Sequence, residues 1–373
     1  MDRIDGSSVV PKYYQLKEIL KEKIIAGEWK PGEKIPAEKE ILKQCECSLI
    51  TVNKAVSKLV EEGYVFRERG RGTYVSPKSF WGNEKESIIL KLIGMVVPDV
   101  TKDFGRTIVR GVEDYLHLRG YSLIIGNHDQ NLEKAQSYIS LLLKKHIDGI
   151  IISPVLGENY EEKNARILKK ITNLDIPFVL IDKYLRNMDC SYVASDNIES
   201  SFKLTESLIK SGHKKIAVLT GLDCSSFEDR LTGYKNALKK YNIPFNPDIV
   251  LEYDARRIDV GDIERIVNFL SVNRAFSAIY TFNSTLARGV IRALEKLGKK
   301  VPGDLTLVSY DNHILPHYDE TTFTRINQPE YKMGEKAAEL LLQMIEKGTR
   351  KPKKIILKSE LLPGKMDNIL VTN

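Results

Sequence analysis

Polar and aromatic side chains follow several apolar runs in the second part of the chain. Phe104 comes shortly after the run at 92–97, and four more side chains follow later runs: Asp182, Arg230, Asn283 and Asp311. Ligands of parallel α/β sheets lie outside the carboxyl ends of the strands, so we expect these groups to line one crevice. Carboxylates accept hydrogen bonds from hydroxyls, Arg and Asn donate them, and an aromatic face packs on C–H groups. The set suits an uncharged polyhydroxyl ligand.

A second set of candidate residues lies between Pro36 and Val75 and suits DNA. A helix is predicted to begin at Leu49 after a Ser48 cap, and a basic hairpin follows with Arg71 between two glycines at its tip. The helix could lie in the major groove while the tip reaches the adjacent minor groove. The candidate DNA-binding residues are Lys39, Ser48, Ile50, Thr51, Asn53, Lys54, Arg67, Arg69, Gly70, Arg71 and Gly72. Taken singly, each basic side chain is explained equally well by a solvated surface, but the whole set favours DNA.

Other chemistry has less support in the sequence. There is no G-x-G-x-x-G after the first strand and no phosphate-binding Walker loop, so a nucleotide enzyme is not expected. The Cys45-x-Cys47 spacing is wrong for zinc, and a buried or half-buried thiol pair is expected instead. An aspartate after a strand can also cap a helix, and we expect Asp196-Asn197 to do so. His213, in a turn, is expected to be a structural hydrogen-bonding residue. No metal and no cofactor is expected.

The elements that would position these residues follow from apolar periodicity. The first part reads as three helices and a hairpin, with the second helix starting at Pro36 and the third ending at Gly63. From Lys91 onward, apolar runs alternate with amphipathic stretches, including helices expected over 107–119, 198–210, 230–241 and 286–297. This alternation predicts parallel sheets covered by helices.

Length and composition indicate how the chain divides into domains. The chain has 373 residues and a net charge of +7, and 15 of its lysines and arginines against 12 acidic residues precede Ser79. We expect a DNA-binding domain at 1–76, a linker at 77–90 with Phe80-Trp81 docked on a neighbour, and a larger domain at 91–373.

Four scattered cysteines fit a reducing cytoplasm. No run of apolar residues is long enough for a membrane span, and no signal segment is apparent.

The first part resembles the winged helix-turn-helix domain of the GntR family. The matching segments include Gly27-Glu-Trp-Lys-Pro-Gly-Glu-Lys-Ile-Pro36 and Gly70-Arg-Gly-Thr-Tyr-Val75. Leu49 and Asn53 stand where the family often has arginines, so guanine readout is expected to be weaker here. Asn53 suits adenine, and Ile50 could contact a thymine methyl.

The second part resembles the sensor domain of the LacI/GalR family and the periplasmic sugar-binding proteins. The matching segments include Ile93-Gly-Met-Val-Val-Pro-Asp99, Ile176-Pro-Phe-Val-Leu-Ile-Asp182 and Val301-Pro-Gly-Asp-Leu-Thr-Leu-Val-Ser-Tyr-Asp311. The resemblance implies a two-lobed, hinged α/β domain that closes on a small sugar, with Arg230 bridging the lobes. It implies effector-binding residues at Phe104, Asp182, Arg230, Asn283, Asp311 and Gln328, with Lys102 and Asp103 as extra contacts. Ser284 replaces a common family aspartate after Asn283.

The two resemblances together are those of AraR-type arabinose repressors. They imply a bacterial transcriptional repressor that binds double-stranded operator DNA as a homodimer and is released by a monosaccharide, with L-arabinose favoured. Two alternatives stay open from the residues: a sensor of a non-sugar ligand such as a nucleobase, and an enzyme on the same fold.

Overall fold

The chain divides between Leu90 and Lys91 into two structural units. The computed structural model describes residues 11–45, 47–68, 71–81, 91–145, 147–221, 223–253, 260–272, 276–301, 303–312 and 323–364. Two expected DNA-binding residues, Arg69 and Gly70, and residues 82–90 of the expected linker lie outside these ranges.

The first unit is a small three-helix fold with a hairpin. Its elements are α1 (Lys12–Ile25), α2 (Glu38–Cys45), α3 (Leu49–Glu61), β1 (Val65–Glu68) and β2 (Gly72–Val75). β1 and β2 pair antiparallel, with Val65 opposite Val75. The helices share an apolar core that includes the fully buried Leu16, Leu20, Ile41, Val52 and Leu59. This is the architecture expected for a winged helix-turn-helix.

Local chemistry sets the ends of these helices. The Ser48 side chain accepts the backbone N–H of Thr51 at 3.2 Å and so caps α3, as the sequence predicts. Gly27 and Gly63, which follow α1 and α3, have φ of 82° and 74°, a conformation that favours glycine. The expectation that Pro36 starts the second helix is wrong, because α2 begins at Glu38.

Two further expectations for this unit concern its two cysteines and the docking of Phe80-Trp81. The Cys45 and Cys47 sulfurs are joined as a disulfide, so the expected pair of free thiols is wrong. Trp81 docks on the unit's own core: its Nε1 donates to the Ser76 carbonyl at 2.7 Å, and its ring lies 6.1 Å from that of Tyr64. The described part of this unit therefore ends packed against its own fold.

The second unit contains two lobes of similar construction. The first lobe holds β3 (Lys91–Val97), α4 (Asp103–His117), β4 (Tyr121–Asn127), α5 (Leu132–Lys144), β5 (Gly149–Ile152), α6 (Tyr160–Asn173), β6 (Phe178–Ile181) and β7 (Tyr192–Ser195). The second lobe holds α7 (Asn197–Lys210), β8 (Ile216–Thr220), α8 (Ser225–Lys240), β9 (Val250–Glu252), α9 (Val260–Val272), β10 (Ala278–Thr281), α10 (Ser284–Lys296), β11 (Thr306–Tyr310) and β12 (Arg325–Asn327). The chain then returns to the first lobe for α11 (Glu330–Lys347) and β13 (Lys354–Leu357), and ends in the second with β14 (Glu360–Leu362).

The two sheets have the same strand order. It is β13-β7-β6-β5-β3-β4 in the first lobe and β14-β12-β11-β10-β8-β9 in the second. All pairings are parallel except β12 with β14. In this correspondence β6 of the first lobe matches β11 of the second. The residues that follow these two strands therefore occupy equivalent positions in the two lobes.

The helix pairs repeat as well. α4 packs on α11 and α8 packs on α7, and both pairs approach closely at a glycine. A Cβ added at Gly111 of α4 would lie 2.1 Å from the Tyr331 carbonyl oxygen, and one at Gly233 of α8 would lie 2.2 Å from that of Ile198. Each glycine is the ninth residue of its helix. A larger residue would push the helices apart, so both positions require glycine.

Some elements differ from the sequence prediction. α8 begins at Ser225 rather than near Arg230, which places Arg230 within a helix rather than at its start. Asp196 does not cap α7 with its side chain; its carboxylate accepts the backbone N–H of Ser359 instead, at 2.8 Å. Within the described ranges, no helix is both long and apolar enough to cross a membrane.

Candidate functional site

A cleft in the second unit collects the predicted effector residues. Its volume is about 1520 Å³, larger than the roughly 300–1,000 Å³ of ordinary small-molecule pockets. The lining includes all eight predicted residues: Lys102, Asp103, Phe104, Asp182, Arg230, Asn283, Asp311 and Gln328. Both lobes contribute to it. A small ligand fills such a cleft only if the lobes close on it.

Two buried aspartates face the cleft, one from each lobe. Asp182 follows β6 and Asp311 follows β11, at equivalent positions of the repeated fold. Their exposed fractions are 7% and 8%, and both have positive φ, 69° for Asp182 and 77° for Asp311. Non-glycine residues rarely adopt this conformation, and it is concentrated at functional sites. The two lobes thus present one carboxylate each to whatever binds between them.

Asp311 belongs to a hydrogen-bonded chain that crosses between the lobes. Its Oδ1 accepts the Gln328 side-chain amide at 2.5 Å, and its Oδ2 accepts the Ser284 backbone N–H at 3.4 Å. The Gln328 oxygen in turn accepts the Ser195 hydroxyl at 2.6 Å. Because Ser195 ends β7 of the first lobe, the chain connects the cleft to the crossover. Gln328 therefore contributes to both the site and the hinge.

Asp182 is paired with a cation that the sequence analysis did not select. The adjacent Lys183 forms an ion pair with the Asp182 carboxylate, and its ammonium also donates to the Ser153 hydroxyl at 3.3 Å. Lys183 and Ser153 both line the cleft and are both buried. The only signal in the sequence was the position of Lys183, directly after a strand-end aspartate.

His128 lies behind this pair. It is fully buried, its Nε2 lies 3.0 Å from the Ser153 carbonyl, and its Nδ1 accepts the Gln130 backbone N–H at 3.0 Å. These partners require a neutral ring with the proton on Nε2. Burial lowers the pKa of His128 to about 4, and the nearby Lys183 adds to that effect. His128 holds the Ser153 strand end in place as a neutral residue.

Arg230 lies against aromatic rings at the base of the cleft. Its guanidinium is 3.5 Å from the centroid of the Tyr310 ring, donates to the Asn197 side chain at 2.9 Å, and donates to the Phe282 carbonyl. All three partners belong to the second lobe. The family resemblance predicts that Arg230 bridges the two lobes. The hydrogen bonds that its guanidinium donates to described residues stay within the second lobe.

The remaining predicted residues line the same cleft in different roles. The Asn283 oxygen caps α10 by accepting the Leu286 N–H at 2.8 Å, which leaves its NH₂ group to donate. Lys102 precedes α4, whose first residues are Asp103 and Phe104, and Asp103 pairs with Arg106. Arg288 of α10 also lines the cleft and was not predicted. Carboxylates outnumber cationic side chains around the lining, which disfavours an anionic ligand.

The first unit exposes the side chains that the sequence assigned to DNA. On α3, Ile50 is 79% exposed, and Asn53 and Lys54 are also on the surface, while Val52 and Val56 are buried. Arg71 at the tip of the hairpin pairs with Glu68 at 3.4 Å and has a side chain that is 77% exposed. Arg67 pairs with Glu38 at 3.2 Å. Exposed pairs such as these contribute little, so phosphates can replace the carboxylates.

Comparisons with known proteins match both parts of the chain. Residues 91–364 match the family of periplasmic binding proteins and sugar-binding domains of the LacI family, and residues 12–75 match the bacterial regulatory proteins of the gntR family. The chain belongs to the LacI family of sugar-binding domains, joined to a gntR-family regulatory domain. It is a DNA-binding transcriptional regulator.

Individual relatives are similar over nearly the whole chain or over about three quarters of it. An arabinose metabolism transcriptional repressor from Geobacillus stearothermophilus is 31% identical over 95% of this chain and 96% of its own length. Among solved structures, the transcription regulator CcpA of Lactococcus lactis is 27% identical, with a TM-score of 0.65, over 74% of this chain and 99% of its own. A LacI-family regulator from Enterococcus faecium with bound ribose is 26% identical, with a TM-score of 0.61, over 74% of this chain and 100% of its own. The resemblances to the GntR and LacI/GalR families, the fold class and the regulatory function are thereby confirmed.

Proposed function

We propose that this regulator is a repressor of sugar-utilisation genes whose operator affinity falls when L-arabinose, or a closely related pentose, binds the cleft. The sugar assignment depends chiefly on the pair Asp182 and Asp311, one buried carboxylate from each lobe aimed into one cleft. Carboxylates that accept from hydroxyls on both sides suit a small polyol. The relative named an arabinose metabolism repressor, aligned over nearly the whole chain, supports arabinose among the candidate sugars.

We further propose that the DNA is bound by α3 and the hairpin, with Gly72 allowing close approach. The side chains assigned to the contact are the half-buried Thr51 and the exposed Lys39, Ser48, Ile50, Asn53, Lys54, Arg67 and Arg71. Arg69 and Gly70 are assigned to the same surface from the sequence alone. A homodimer in the cytoplasm would match a near-palindromic operator, because dimer symmetry is mirrored in half-site spacing.

Release of DNA by sugars tests the proposal directly. Duplexes from the promoter region of the regulator's own gene are bound to the full-length protein, and fluorescence anisotropy follows dissociation as ligand is added. L-arabinose is expected to release the duplex at lower concentration than other pentoses. The nucleobases adenine, guanine and hypoxanthine are included, and release by one of them alone would identify a non-sugar sensor. Equal operator affinity with and without every compound would contradict the proposal.

A further inference from the structure

Two cysteines flank the turn that joins α2 to α3 in the first unit. Cys45 is the last residue of α2, Cys47 directly precedes the Ser48 cap of α3, and the two sulfurs are joined as a disulfide. The Cys45 side chain is buried in the core of the unit, at 8% exposure, whereas Cys47 is half-buried. A change in the bond between these sulfurs would therefore act between the two helices that are assigned to DNA.

A permanent, stabilising cross-link is a weak explanation for this disulfide. A bacterial regulator meets its operator in the cytoplasm, where thiols are kept reduced and protein disulfides are usually transient, catalytic or redox-sensing. The bond joins residues only two positions apart, and so short a loop constrains the unfolded chain less than a long one. The unit also has an apolar core from all three helices, which includes the fully buried Leu16, Ile41 and Val52.

The other two cysteines of the chain are unlike this pair. Cys190 and Cys224 are free thiols in the second unit, and both are buried. Burial raises the pKa of Cys190 to about 11 and also raises the pKa of Cys224, whereas the thiolate is the reactive form of cysteine. An oxidant that reaches the half-buried Cys47 should therefore react with Cys190 and Cys224 much more slowly.

The redox state of the pair changes the room that the turn needs. Two bonded sulfurs lie closer together than van der Waals contact allows for two thiols, so reduction must move one of the side chains. Cys45 is packed in the core, which leaves Cys47 and the adjoining Ser48 to move. Ser48 accepts the Thr51 backbone N–H at 3.2 Å, and their hydroxyl oxygens lie 2.8 Å apart. The displacement thus reaches the first turn of α3, where Ile50 and Thr51 are assigned to DNA.

We propose that Cys45 and Cys47 form a reversible redox modification site, a dithiol that peroxide oxidises to the disulfide and that thereby changes operator affinity. The Cys47 thiol loses its proton and the thiolate attacks hydrogen peroxide; the O–O bond breaks, leaving a sulfenic acid, and the departing hydroxide takes that proton as water. The Cys45 sulfur then attacks the sulfenic sulfur, the S–S bond forms and a second water leaves. The two sulfurs lose one electron each, and the peroxide gains both.

The dithiol is the state expected to bind the operator more tightly. The inference rests here on the proposed function, because a repressor must bind its operator under the ordinary reducing conditions of the cytoplasm. Oxidation draws Cys47 towards Cys45 and shifts the start of α3 relative to α2, whose Lys39 is assigned to the same DNA. A shift between two elements that contact one duplex weakens their joint contact. A cytoplasmic dithiol reverses the change by thiol–disulfide exchange.

The test compares the operator affinity of the full-length protein, without sugar, in its two redox states. Anisotropy titrations use the promoter duplexes and protein treated with dithiothreitol, or with hydrogen peroxide that is then removed. Alkylation with iodoacetamide and mass spectrometry report the free thiols of the peptide that holds Cys45 and Cys47. We expect both thiols to be free after dithiothreitol and neither after peroxide. Operator affinity should be roughly five- to tenfold lower in the oxidised protein, and dithiothreitol should restore it.

Substitutions of single cysteines assign the effect. Cys47→Ser replaces the thiol that peroxide reaches with a hydroxyl at a half-buried position. This variant should bind operator as the reduced wild-type protein does and should not respond to peroxide. Cys45→Ala, which adds no polar group to the core, is carried in parallel in case Cys47→Ser fails to fold. Cys190→Ala is the matched control in the second unit and should respond to peroxide as the wild-type protein does.

The outcomes separate this inference from the proposed function. A disulfide that stays intact in a glutathione buffer poised as in the cytoplasm would be structural and would overturn the inference alone. Equal operator affinity in the two redox states would overturn it as well, and so would a loss that persists in Cys47→Ser. Reduced wild-type protein that does not bind the duplexes would contradict both the inference and the proposed function. A reversible loss confined to proteins that hold both Cys45 and Cys47 supports the inference.

Discussion

The cleft depends on a few residues in unusual states. Asp182 and Asp311 both have positive φ, and a non-glycine residue in that region costs roughly 1–3 kcal/mol that the surrounding fold must offset. Behind Asp182 lies a histidine that is buried and neutral. Neither arrangement is needed to complete a sheet or a helix. Both position polar groups at the cleft wall, where a ligand would meet them.

The lowered pKa of His128 predicts how the unfolding free energy of the protein changes with pH. Its folded-state pKa of about 4 lies below the ordinary 6.5, so the unfolded chain binds the proton first as pH falls. Stability from this residue is present above pH 6.5 and is lost as pH falls towards 4. We expect about 2 kcal/mol of the unfolding free energy to disappear between pH 7 and pH 5. Urea denaturation at several pH values measures this.

His128→Asn is the comparison for that experiment. Asparagine does not titrate, so the variant should lose the His128 contribution to the pH dependence between pH 7 and pH 5, even if it is less stable at every pH. Burial also lowers the pKa of His213, and that contribution remains in both proteins. Carboxylates change the unfolding free energy mainly at lower pH, and they do so equally in the wild-type protein and the variant. A variant that retains the full wild-type slope would show that another group is responsible.

Arg71 predicts the salt dependence of operator binding. An exposed guanidinium at a hairpin tip that contacts a phosphate releases a counterion when it binds. Arg71→Ala should weaken operator binding about tenfold at moderate salt and reduce the slope of log affinity against log salt by about one. Anisotropy titrations at several salt concentrations give both numbers.

A cation on the same unit serves as the control. Lys58 lies near the end of α3 and pairs with Glu61, far along the helix from Ser48. Lys58→Ala should leave the slope and the affinity nearly unchanged. Sugar affinity should be the same in both variants. Unchanged operator binding by Arg71→Ala would argue against the assignment of the hairpin to DNA.

At the scale of elements, the loop between β6 and β7 joins the two lobes beside the cleft. Tyr184 donates its hydroxyl to Asp229 at 2.8 Å, and Arg186 donates to Asp229 at 2.6 Å and to Glu228 at 3.0 Å. Asp229 and Glu228 lie on α8, next to Arg230. Burial and the Asp229 carboxylate raise the pKa of Tyr184, so its hydroxyl stays protonated and donates. These contacts hold the lobes together outside the ligand-binding surface.

Loosening this connection should weaken sugar binding without removing a sugar contact. Arg186 is not among the residues that line the cleft. If the connection favours the closed arrangement, Arg186→Ala lowers the closed population and should reduce sugar affinity by roughly five- to tenfold. Arg166→Ala, which breaks an exposed pair within α6, is the control and should have no effect. Calorimetry that shows equal affinities for all three proteins would contradict this role.

Elements with clear apolar periodicity could be predicted from the sequence, and contacts between distant segments could not. Ser48 as a cap and the buried stripe of α3 follow from local pattern. The start of α8 was missed because Ser225 and Ser226 are buried by tertiary packing, which periodicity does not register. Asp196 was mistaken for a helix cap because its true partner, Ser359, is 163 residues away.

The same limit applies to the site. Strand-end position was enough to select Asp182 and Asp311, since parallel sheets collect those positions at one edge. Ser153 and His128 also directly follow strands, but position does not show their roles, which depend on neighbours from other strands. Nor could it show that Arg230 makes its hydrogen bonds within one lobe. Residues whose role comes from position alone were predictable, and those whose role comes from a partner were not.

At the scale of the whole molecule, function requires that the cleft and the DNA-binding unit influence each other. A sugar can shift the protein towards a state that binds operator less well only by binding that state more tightly. Families with this kind of coupling typically show 1–3 kcal/mol between the two sites. The hydrogen-bonded chain Asp311–Gln328–Ser195 connects the cleft to the lobe crossover, so it is a route by which closure can be sensed.

Because of thermodynamic linkage, this coupling can be measured either as a change in operator affinity or as a change in sugar affinity. If L-arabinose weakens operator binding by some factor, saturating operator must weaken L-arabinose binding by the same factor, here expected to be between about 5 and 150. Sugar affinity is measured by calorimetry with and without operator duplex, and operator affinity by anisotropy with and without sugar. Asp311→Ala should bind operator normally, bind sugar poorly and show no release. A factor of one in both measurements would mean that sugar and operator bind independently, which would contradict the coupling of the cleft to the DNA-binding unit.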